Sequence, residues 1–168
     1  MNDYSIHPPQ DQMRVLMPII RVRPGSDLKV VIQSKCWYGR MTHYVNKRTV
    51  LCTEENDCDF CPMAIGLWKG FAVVRAFSSD RLALLSMTPP VVPTLLSAMA
   101  GRPSAAGLTV VFSRLGSRLN APLSCQTYGY VNNEPEVSIE DTKAHVNRIF
   151  KPGRAFTLYT GLDQKKIG

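Results

Sequence analysis

The chain has 168 residues, 45% of them hydrophobic and 20% charged, a composition that favours a folded domain and excludes a wholly disordered one. No apolar run approaches the ~18 residues of a membrane-spanning helix, so we expect neither a membrane partner nor a secretory signal. The net charge is +7, which favours a polyanion as partner. We therefore expect one cytoplasmic domain that binds nucleic acid.

The first predicted elements are an arm and two strands. Residues 1–17 predict a flexible N-terminal arm, and Pro24-Gly25 then marks a turn. Residues 28–35 alternate between apolar and polar side chains, which is the pattern of a half-buried strand. Residues 36–45 continue this alternation, and Gly39 would allow the sharp bend that small barrels need.

The next segment, "HYVNKRTVLCTEENDCDFC" (43–61), concentrates one of three histidines and three of five cysteines. The two-residue spacing of Cys58 and Cys61 lets one turn present both sulfur atoms to one ion. His43 and Cys52 complete a set of four soft ligands, which is what a structural zinc ion requires. The sequence therefore predicts one structural zinc ion per chain, bound in a zinc loop over residues 43–61.

Other uses of these residues stay open at the sequence level. Cys58 and Cys61 also fit a redox pair or a disulfide, although an odd number of cysteines without an export signal favours metal binding. His145 is the alternative to His43 as the fourth ligand.

Catalytic zinc does not fit the same segment. Nucleobase deaminases combine His-x-Glu with Pro-Cys-x-x-Cys, whereas here Tyr44 and Val45 follow His43, and Asp57 precedes Cys58. The chain also lacks a nucleophile elbow, a phosphate-binding glycine loop and a His-Glu-x-x-His helix motif. We expect a protein that is not an enzyme.

The remaining elements are predicted from periodicity and capping residues. Ser138 begins a last helix, which Pro152-Gly153 ends. Before it come two pairs of strands and, between the pairs, one short helix; the strands cover 68–77, 81–87, 108–114 and 122–130, and the helix 89–101.

This order predicts a mainly β protein. A mostly antiparallel barrel with one helix before its last two strands is the layout of the OB-fold. We therefore expect an OB-fold-like antiparallel barrel with an inserted zinc loop and one or two short helices, over residues 18–156, with a C-terminal tail at 157–168. Periodicity alone also allows another small barrel or an α+β sandwich.

The predicted binding face mixes aromatic and basic side chains on the strands. OB-folds hold single-stranded nucleic acid by stacking bases on aromatic rings within a basic groove. Core packing of the aromatic residues is the alternative interpretation. The candidate nucleic-acid-binding residues are Lys29, Lys35, Tyr38, Arg40, Tyr44, Lys69, Phe71, Arg75, Phe77, Arg114 and Arg118.

A histidine followed by three cysteines, the last two as Cys-x-x-Cys, in a basic OB-like chain resembles the zinc subdomain of T-even bacteriophage single-stranded DNA-binding proteins. The resemblance covers the zinc loop. It implies that His43, Cys52, Cys58 and Cys61 are the zinc ligands and that the chain binds single-stranded DNA.

The function expected from these features is non-enzymatic binding of single-stranded DNA. It would serve DNA replication, recombination, or maintenance of a phage or mobile element in a bacterial or phage-infected cell, with replication or recombination proteins as candidate partners. Two alternatives stay open: an RNA-binding zinc protein, and a zinc-stapled interaction module of a larger nucleic-acid machine.

Overall fold

One mixed sheet of eight strands forms the frame of the computed structural model, which describes residues 17–53, 58–118 and 121–150. Two short helices accompany the sheet, and the first follows a 3-10 turn at Pro89–Val91. The elements are β1 (Ile19–Ile20), β2 (Asp27–Ile32), β3 (Tyr38–Val45), β4 (Arg48–Leu51), β5 (Leu67–Ala76), β6 (Leu82–Met87), α1 (Val92–Ala98), β7 (Leu108–Arg114), β8 (Leu123–Tyr130) and α2 (Ile139–Ile149).

The long strand β5 organises the sheet. The strand order is β1-β6-β5-β2-β7-β8, while β3 pairs with β5 and β4 pairs with β3. β5 pairs with β3 through its first half and with β2 through its second half, so β2 and β3 lie end to end along one side of it. All pairs between these strands are antiparallel except β1–β6, which is parallel.

The bend between β2 and β3 comes from a local irregularity and not from Gly39. The backbone N–H groups of Gln33 and Ser34 both donate to the carbonyl of Val73, at 2.8 and 3.2 Å. Two residues opposite one residue is the pattern of a β-bulge, which bends a strand and increases its twist. The chain then turns onto the first half of β5.

Gly39 instead leaves room for the side chain of Trp68. Gly39 and Gly70 are partners across the β3–β5 ladder, and a Cβ atom at either position would lie 2.8 Å from atoms of the Trp68 indole. Glycine therefore lets the indole lie close to the backbone of both strands. Since Trp68 is paired with Met41, this packing also fixes the side of β3 that carries His43.

The prediction of a mainly β protein is confirmed, but the strands do not close into a barrel. Among the described residues no pairing joins β8 to β6 or β1, so the sheet stays open. The sequence also failed to predict β1 and β4. The predicted arm up to residue 16 and the predicted tail at 157–168 lie outside the described residues.

Two hydrophobic cores lie on opposite sides of the sheet. The larger core lies beneath α1, which contributes Leu95, and it includes the inward-facing residues of the central strands: Val30, Ile32, Ala72, Val74, Leu85, Met87, Val110 and Phe112. These residues alternate along each strand, which is why period-two patterning predicted most of the strands.

The second core forms where α2 packs on the other side of β5 and β6. Phe71 lies beneath this helix with its ring centroid 5.2 Å from that of Phe150, and it is only 1% exposed. The prediction that Phe71 stacks on a nucleic-acid base is therefore wrong, because α2 covers the ring. Val73 and Leu84 are buried in the same layer against Val146.

Ser138 positions the start of α2. Its hydroxyl accepts a hydrogen bond from the backbone N–H of Asp141 at 3.0 Å. Glu140 and Asp141, in the first turn, stabilise the helix because their negative charges lie at the positive end of the helix dipole. The predicted start of the last helix at Ser138 is thus confirmed. In the described part of the chain, neither helix is long and apolar enough to cross a membrane.

We expect Phe71→Ala to lower the free energy of unfolding by about 3–5 kcal/mol, because it removes a buried ring from the contact with α2. Phe77→Ala is the matched control: Phe77 follows β5 and is 47% exposed, so its loss is expected to cost about 1 kcal/mol or less. Urea denaturation measures both. An unchanged midpoint for Phe71→Ala would contradict the burial of this ring.

Candidate metal centre

The β3–β4 hairpin brings the first two candidate ligands together. Val45 is paired with Arg48, so the connecting turn consists of Asn46 and Lys47 alone. Both turn residues have positive φ angles, 50° and 63°, as a type I′ turn requires. The eight residues between His43 and Cys52 are therefore the end of β3, a tight turn and β4.

Register places His43 and Cys52 on the same side of this hairpin. His43 is paired with Val50, and the backbone N–H of Cys52 donates to the carbonyl of Met41 at 2.9 Å, which continues the ladder by one position. Cys52 is thus the diagonal neighbour of His43, within reach of a long side chain.

The other two candidate ligands come from the turn that follows. The backbone N–H of Cys61 donates to the carbonyl of Cys58 at 3.2 Å, and the N–H of Ala64 donates to the carbonyl of Phe60 at 3.0 Å. This compact turn presents both sulfur atoms toward the hairpin. Residues 54–57, which include Glu54 and Glu55, lie outside the described residues.

The ligand atoms of the four side chains lie within 4.8 Å of one another. Cys52 Sγ is 3.7 Å from Cys61 Sγ, and His43 Nε2 is 3.6 Å from Cys58 Sγ and 3.5 Å from Cys61 Sγ. Around a tetrahedral zinc ion, the usual bond lengths require about 3.8 Å between two sulfurs and about 3.6 Å between sulfur and nitrogen. The cluster therefore has the dimensions of a four-coordinate site.

His43 is oriented for metal binding by its second ring nitrogen. Nδ1 lies 3.0 Å from the carbonyl of Ala64, and because a carbonyl only accepts, Nδ1 carries the proton and leaves Nε2 as the ligand atom. The side chain is 2% exposed. His145, the alternative fourth ligand, does not belong to the cluster of described ligand residues.

The thiols of Cys58 and Cys61 differ in acidity. A backbone hydrogen bond with Thr53, supported by those with Phe60 and Cys61, lowers the pKa of Cys58 to about 6, although burial acts in the opposite direction. Hydrogen bonds with the thiols of Cys52 and Cys58 raise the pKa of Cys61 to about 11. Backbone N–H groups thus favour the thiolate form of Cys58, the form in which cysteine binds a metal.

Four protein ligands leave no coordination position for water, which is the arrangement of a structural site and not of a catalytic one. Three of the four are buried, and Cys61 is exposed at the edge of the cluster. All five cysteines are free thiols in the structure, so it gives no support to the disulfide alternative. The cluster can hold a metal ion that ties β3, β4 and the following turn together.

Next to the metal cluster, four of the candidate nucleic-acid-binding residues share one side of the sheet. Register pairs Arg40 with Lys69 and Tyr38 with Phe71, and alternation along β3 places Tyr44 on the same side. Trp68 and the metal ligand His43 face the opposite side. We call this surface the β3–β5 face; it consists of Tyr38, Arg40, Tyr44 and Lys69.

Hydrogen bonds connect this face to the hairpin. Arg40 donates from Nη1 to the hydroxyl of Tyr38 at 3.1 Å and from Nη2 to the carbonyl of the metal ligand Cys52. Lys69 Nζ lies 3.2 Å from Oγ1 of Thr49 in β4, to which it donates. Tyr44 is 62% exposed.

Lys29, Arg75 and Phe77 form a separate group on the same side, beyond α2. Lys29 Nζ lies 4.6 Å from the ring centroid of Phe77, and the guanidinium of Arg75 lies 5.9 Å from it. Arg75 also forms ion pairs with Asp80, at 2.8 Å, and with Glu134. These pairs raise the pKa of Arg75, mainly through Glu134, and tie β5 to the segment before α2.

The other predicted contacts are dispersed. Lys35 is exposed, and its backbone N–H donates to Val137 at 2.8 Å, so it lies beside the segment that leads into α2. Arg114 Nη1 donates to the carbonyl of Ala121 at 3.0 Å across the β7–β8 loop, where Arg118 is exposed. The structure therefore gathers the four residues of the β3–β5 face and leaves the remaining candidates in other places.

Sequence reasoning overlooked two features of the site. β4 was absent from the prediction, because its turn residues Asn46 and Lys47 adopt positive φ angles without the glycine that usually marks a two-residue hairpin turn. The exposed apolar residues after the metal turn were also overlooked: Met63, Ile65 and Leu67 are 64%, 85% and 54% exposed. Met63 and Ile65 lie in an irregular segment and Leu67 begins β5, so no periodicity predicted their exposure.

Comparison with known proteins finds no matching protein-family model, no similar curated protein and no similar solved structure. The resemblance to T-even bacteriophage proteins stays a prediction from the ligand motif.

We expect purified protein to contain one metal ion per chain. Cys58→Ser should reduce metal content and lower the melting temperature, because metal binding at such a site contributes directly to folding. Cys125→Ser, which changes a half-buried thiol outside the cluster, should retain the metal. Elemental analysis and thermal denaturation measure both quantities; metal-free protein whose stability does not respond to chelators would rule out a structural metal.

Proposed function

We propose that the chain is a non-enzymatic single-stranded DNA-binding protein whose binding surface is held in shape by a structural zinc ion. The observation that carries this proposal is the β3–β5 face beside the metal cluster, where the exposed Tyr44 and the partly buried Tyr38, which packs against the second core, alternate with an arginine and a lysine. Aromatic rings interleaved with cations are what single-strand-binding surfaces require, since bases stack and phosphates pair with the cations.

The donor set favours zinc as the metal. One imidazole nitrogen and three thiolates at tetrahedral spacing suit zinc, which has no preference for planar or octahedral geometry. Hard cations such as magnesium and calcium prefer oxygen ligands, which the cluster does not provide among the described residues. The closed shell gives the ion a structural role.

The strand order supports an OB-like interpretation of the sheet. If β2 and β3 count as one bent strand, the elements follow the OB layout of three strands, a helix and a closing hairpin. OB-folds bind oligonucleotides on strands two and three and on the loops between strands one and two and between strands four and five. Those positions correspond here to β5 and β6, the metal segment and the β7–β8 loop with Arg118.

Helix α2 limits where a nucleic-acid strand can bind on this sheet. It buries Phe71 in the middle of the side that OB-folds use, so the accessible part is the end that carries the metal hairpin. Lys69 is crowded there: burial lowers its pKa, and repulsion from Arg21 and Arg114 acts in the same direction.

We expect the zinc-loaded chain to bind a fluorescent oligo-dT strand and to bind duplex DNA of equal length much more weakly. Tyr44→Ala should weaken strand binding by ~1–3 kcal/mol if a base stacks on this ring. Tyr128→Ala is the matched control, because Tyr128 lies on β8 and is also 62% exposed. Fluorescence anisotropy measures the affinities.

The same measurement is repeated at several salt concentrations and with an RNA strand. Affinity should fall with salt at a log–log slope of about −0.7 per neutralised phosphate. Oligo-U in parallel distinguishes DNA from RNA: tighter binding to oligo-U would replace the proposal by the RNA-binding alternative. No binding to either single strand would contradict the proposal and favour an interaction module.

A further inference from the structure

The four ligands of the metal cluster are unequally shielded from solvent. His43, Cys52 and Cys58 are only 2%, 6% and 5% exposed, whereas Cys61 is exposed at the edge of the cluster. All three sulfurs are thiolates when the ion is bound, because cysteine binds a metal only after losing its proton. Solvent access therefore distinguishes the three thiolates, and a small reagent in solution reaches Cys61 first.

Cys61 also has sulfur neighbours with which it can form a bond. Its Sγ lies 3.7 Å from Sγ of Cys52, and the ligand atoms of the whole cluster, which include Sγ of Cys58, lie within 4.8 Å of one another. The other two cysteines, Cys36 and Cys125, are half-buried and do not belong to the cluster. Of the five cysteines, all of which the structure describes, Cys61 is thus the exposed one, and it lies beside two other sulfurs.

Oxidation of Cys61 to a disulfide would remove two sulfurs from the ligand shell. A disulfide sulfur carries no negative charge, and the two remaining ligands do not complete a tetrahedral site. The effect would extend to the β3–β5 face, because Arg40 donates to the carbonyl of Cys52 and Lys69 donates to Thr49 in β4. Loss of the ion would therefore loosen the hairpin that positions both cations.

We infer that Cys61 is an oxidative modification site, through which a hydroperoxide releases the structural zinc ion and disables the β3–β5 face. This inference rests on the proposed function, to which it adds a form of regulation. The exposed thiolate reacts first, and a buried thiolate of the same ligand shell completes the reaction. The cluster that stabilises the surface is therefore also the group that responds to the oxidant.

The reaction consumes one hydroperoxide and two thiolates. The thiolate of Cys61 attacks one oxygen of the peroxide, the O–O bond breaks, and hydroxide leaves as Cys61 becomes a sulfenic acid. The thiolate of Cys52 or Cys58 then attacks this sulfur, and the S–S bond forms as a second hydroxide leaves. Two electrons pass from the two sulfurs to the peroxide, and a thiol reductant reverses the change.

The test treats the zinc-loaded full chain with hydrogen peroxide and follows released zinc with a chromogenic chelator. We expect one zinc ion per chain to be released together with one disulfide, which peptide mass spectrometry should find between Cys61 and either Cys52 or Cys58. Dithiothreitol and added zinc should restore the thiols and the metal content, because a disulfide is a reversible oxidation product of cysteine.

Cys61→His separates the reactivity of this sulfur from metal binding, because imidazole is also a zinc ligand. The variant should bind zinc and release it roughly tenfold more slowly under peroxide, since the thiolates that remain are buried. Cys125→Ser is the matched control: it removes a half-buried thiol outside the cluster and should release zinc at the wild-type rate.

Alkylation of the zinc-loaded wild type with iodoacetamide gives a second readout that needs no variant. It should modify Cys61 before Cys52 and Cys58, and it decides the question if Cys61→His fails to bind zinc. The inference would be overturned by a wild type that keeps its zinc under peroxide, by equal release rates for Cys61→His and the wild type, or by a disulfide or first alkylation that does not include Cys61.

Binding of oligo-dT to the reduced and the oxidised chain tests the regulation separately. The oxidised chain should bind this strand as weakly as the metal-free chain does, and equal affinities of the reduced and oxidised chains would contradict control of the β3–β5 face. A reduced, zinc-loaded chain that binds no single strand would instead overturn the proposed function, while zinc release and the disulfide would still decide whether Cys61 is the modification site.

Discussion

The tetrahedral arrangement of one imidazole and three thiols is the constraint on which the metal end of the molecule depends. Of the described residues between 46 and 66, Leu51 packs against a hydrophobic core, while Met63 and Ile65 face solvent. A two-stranded hairpin with so little apolar contact is marginally stable in water. A metal ion in the cluster would supply the stability that apolar burial does not; for structural zinc in small zinc domains the apparent binding free energy is about 10–16 kcal/mol.

The same constraint extends to the candidate binding surface through hydrogen bonds. Arg40 donates to the carbonyl of the ligand Cys52, and Lys69 donates to Thr49 in β4, so both cations are fixed relative to the metal hairpin. At the other end of β5, α2 covers Phe71. The metal centre and α2 therefore delimit the surface together: the hairpin orients the side chains at one end, and the helix closes the other.

The sequence predicted those parts of the molecule in which the residue pattern is compatible with a single structural role. Alternating apolar residues predicted β2, β5 and β7 because each is half of a layer, and the ligand set was predictable because histidine and cysteine at such spacing have few other uses. β4 was not predicted because its turn, Asn46-Lys47, adopts positive φ angles without a glycine. Its residues also lie within the predicted zinc loop, so we expected a loop and not a strand there.

Periodicity could not predict which aromatic side chains are buried and which are exposed. Phe71 and Tyr44 lie on the same side of neighbouring strands, yet one is 1% and the other 62% exposed. The difference arises because α2 packs across the middle of the sheet, and the amphipathic pattern of a helix does not specify which sheet surface it covers.

X-ray absorption at the zinc edge of the purified chain would identify the bound ion and its ligands together. We expect a first shell of one nitrogen at about 2.0–2.1 Å and three sulfurs at about 2.3 Å, with the outer-shell pattern of an imidazole ring from His43. A shell dominated by oxygen, or one with fewer than three sulfurs, would contradict the metal centre and the surface that depends on it.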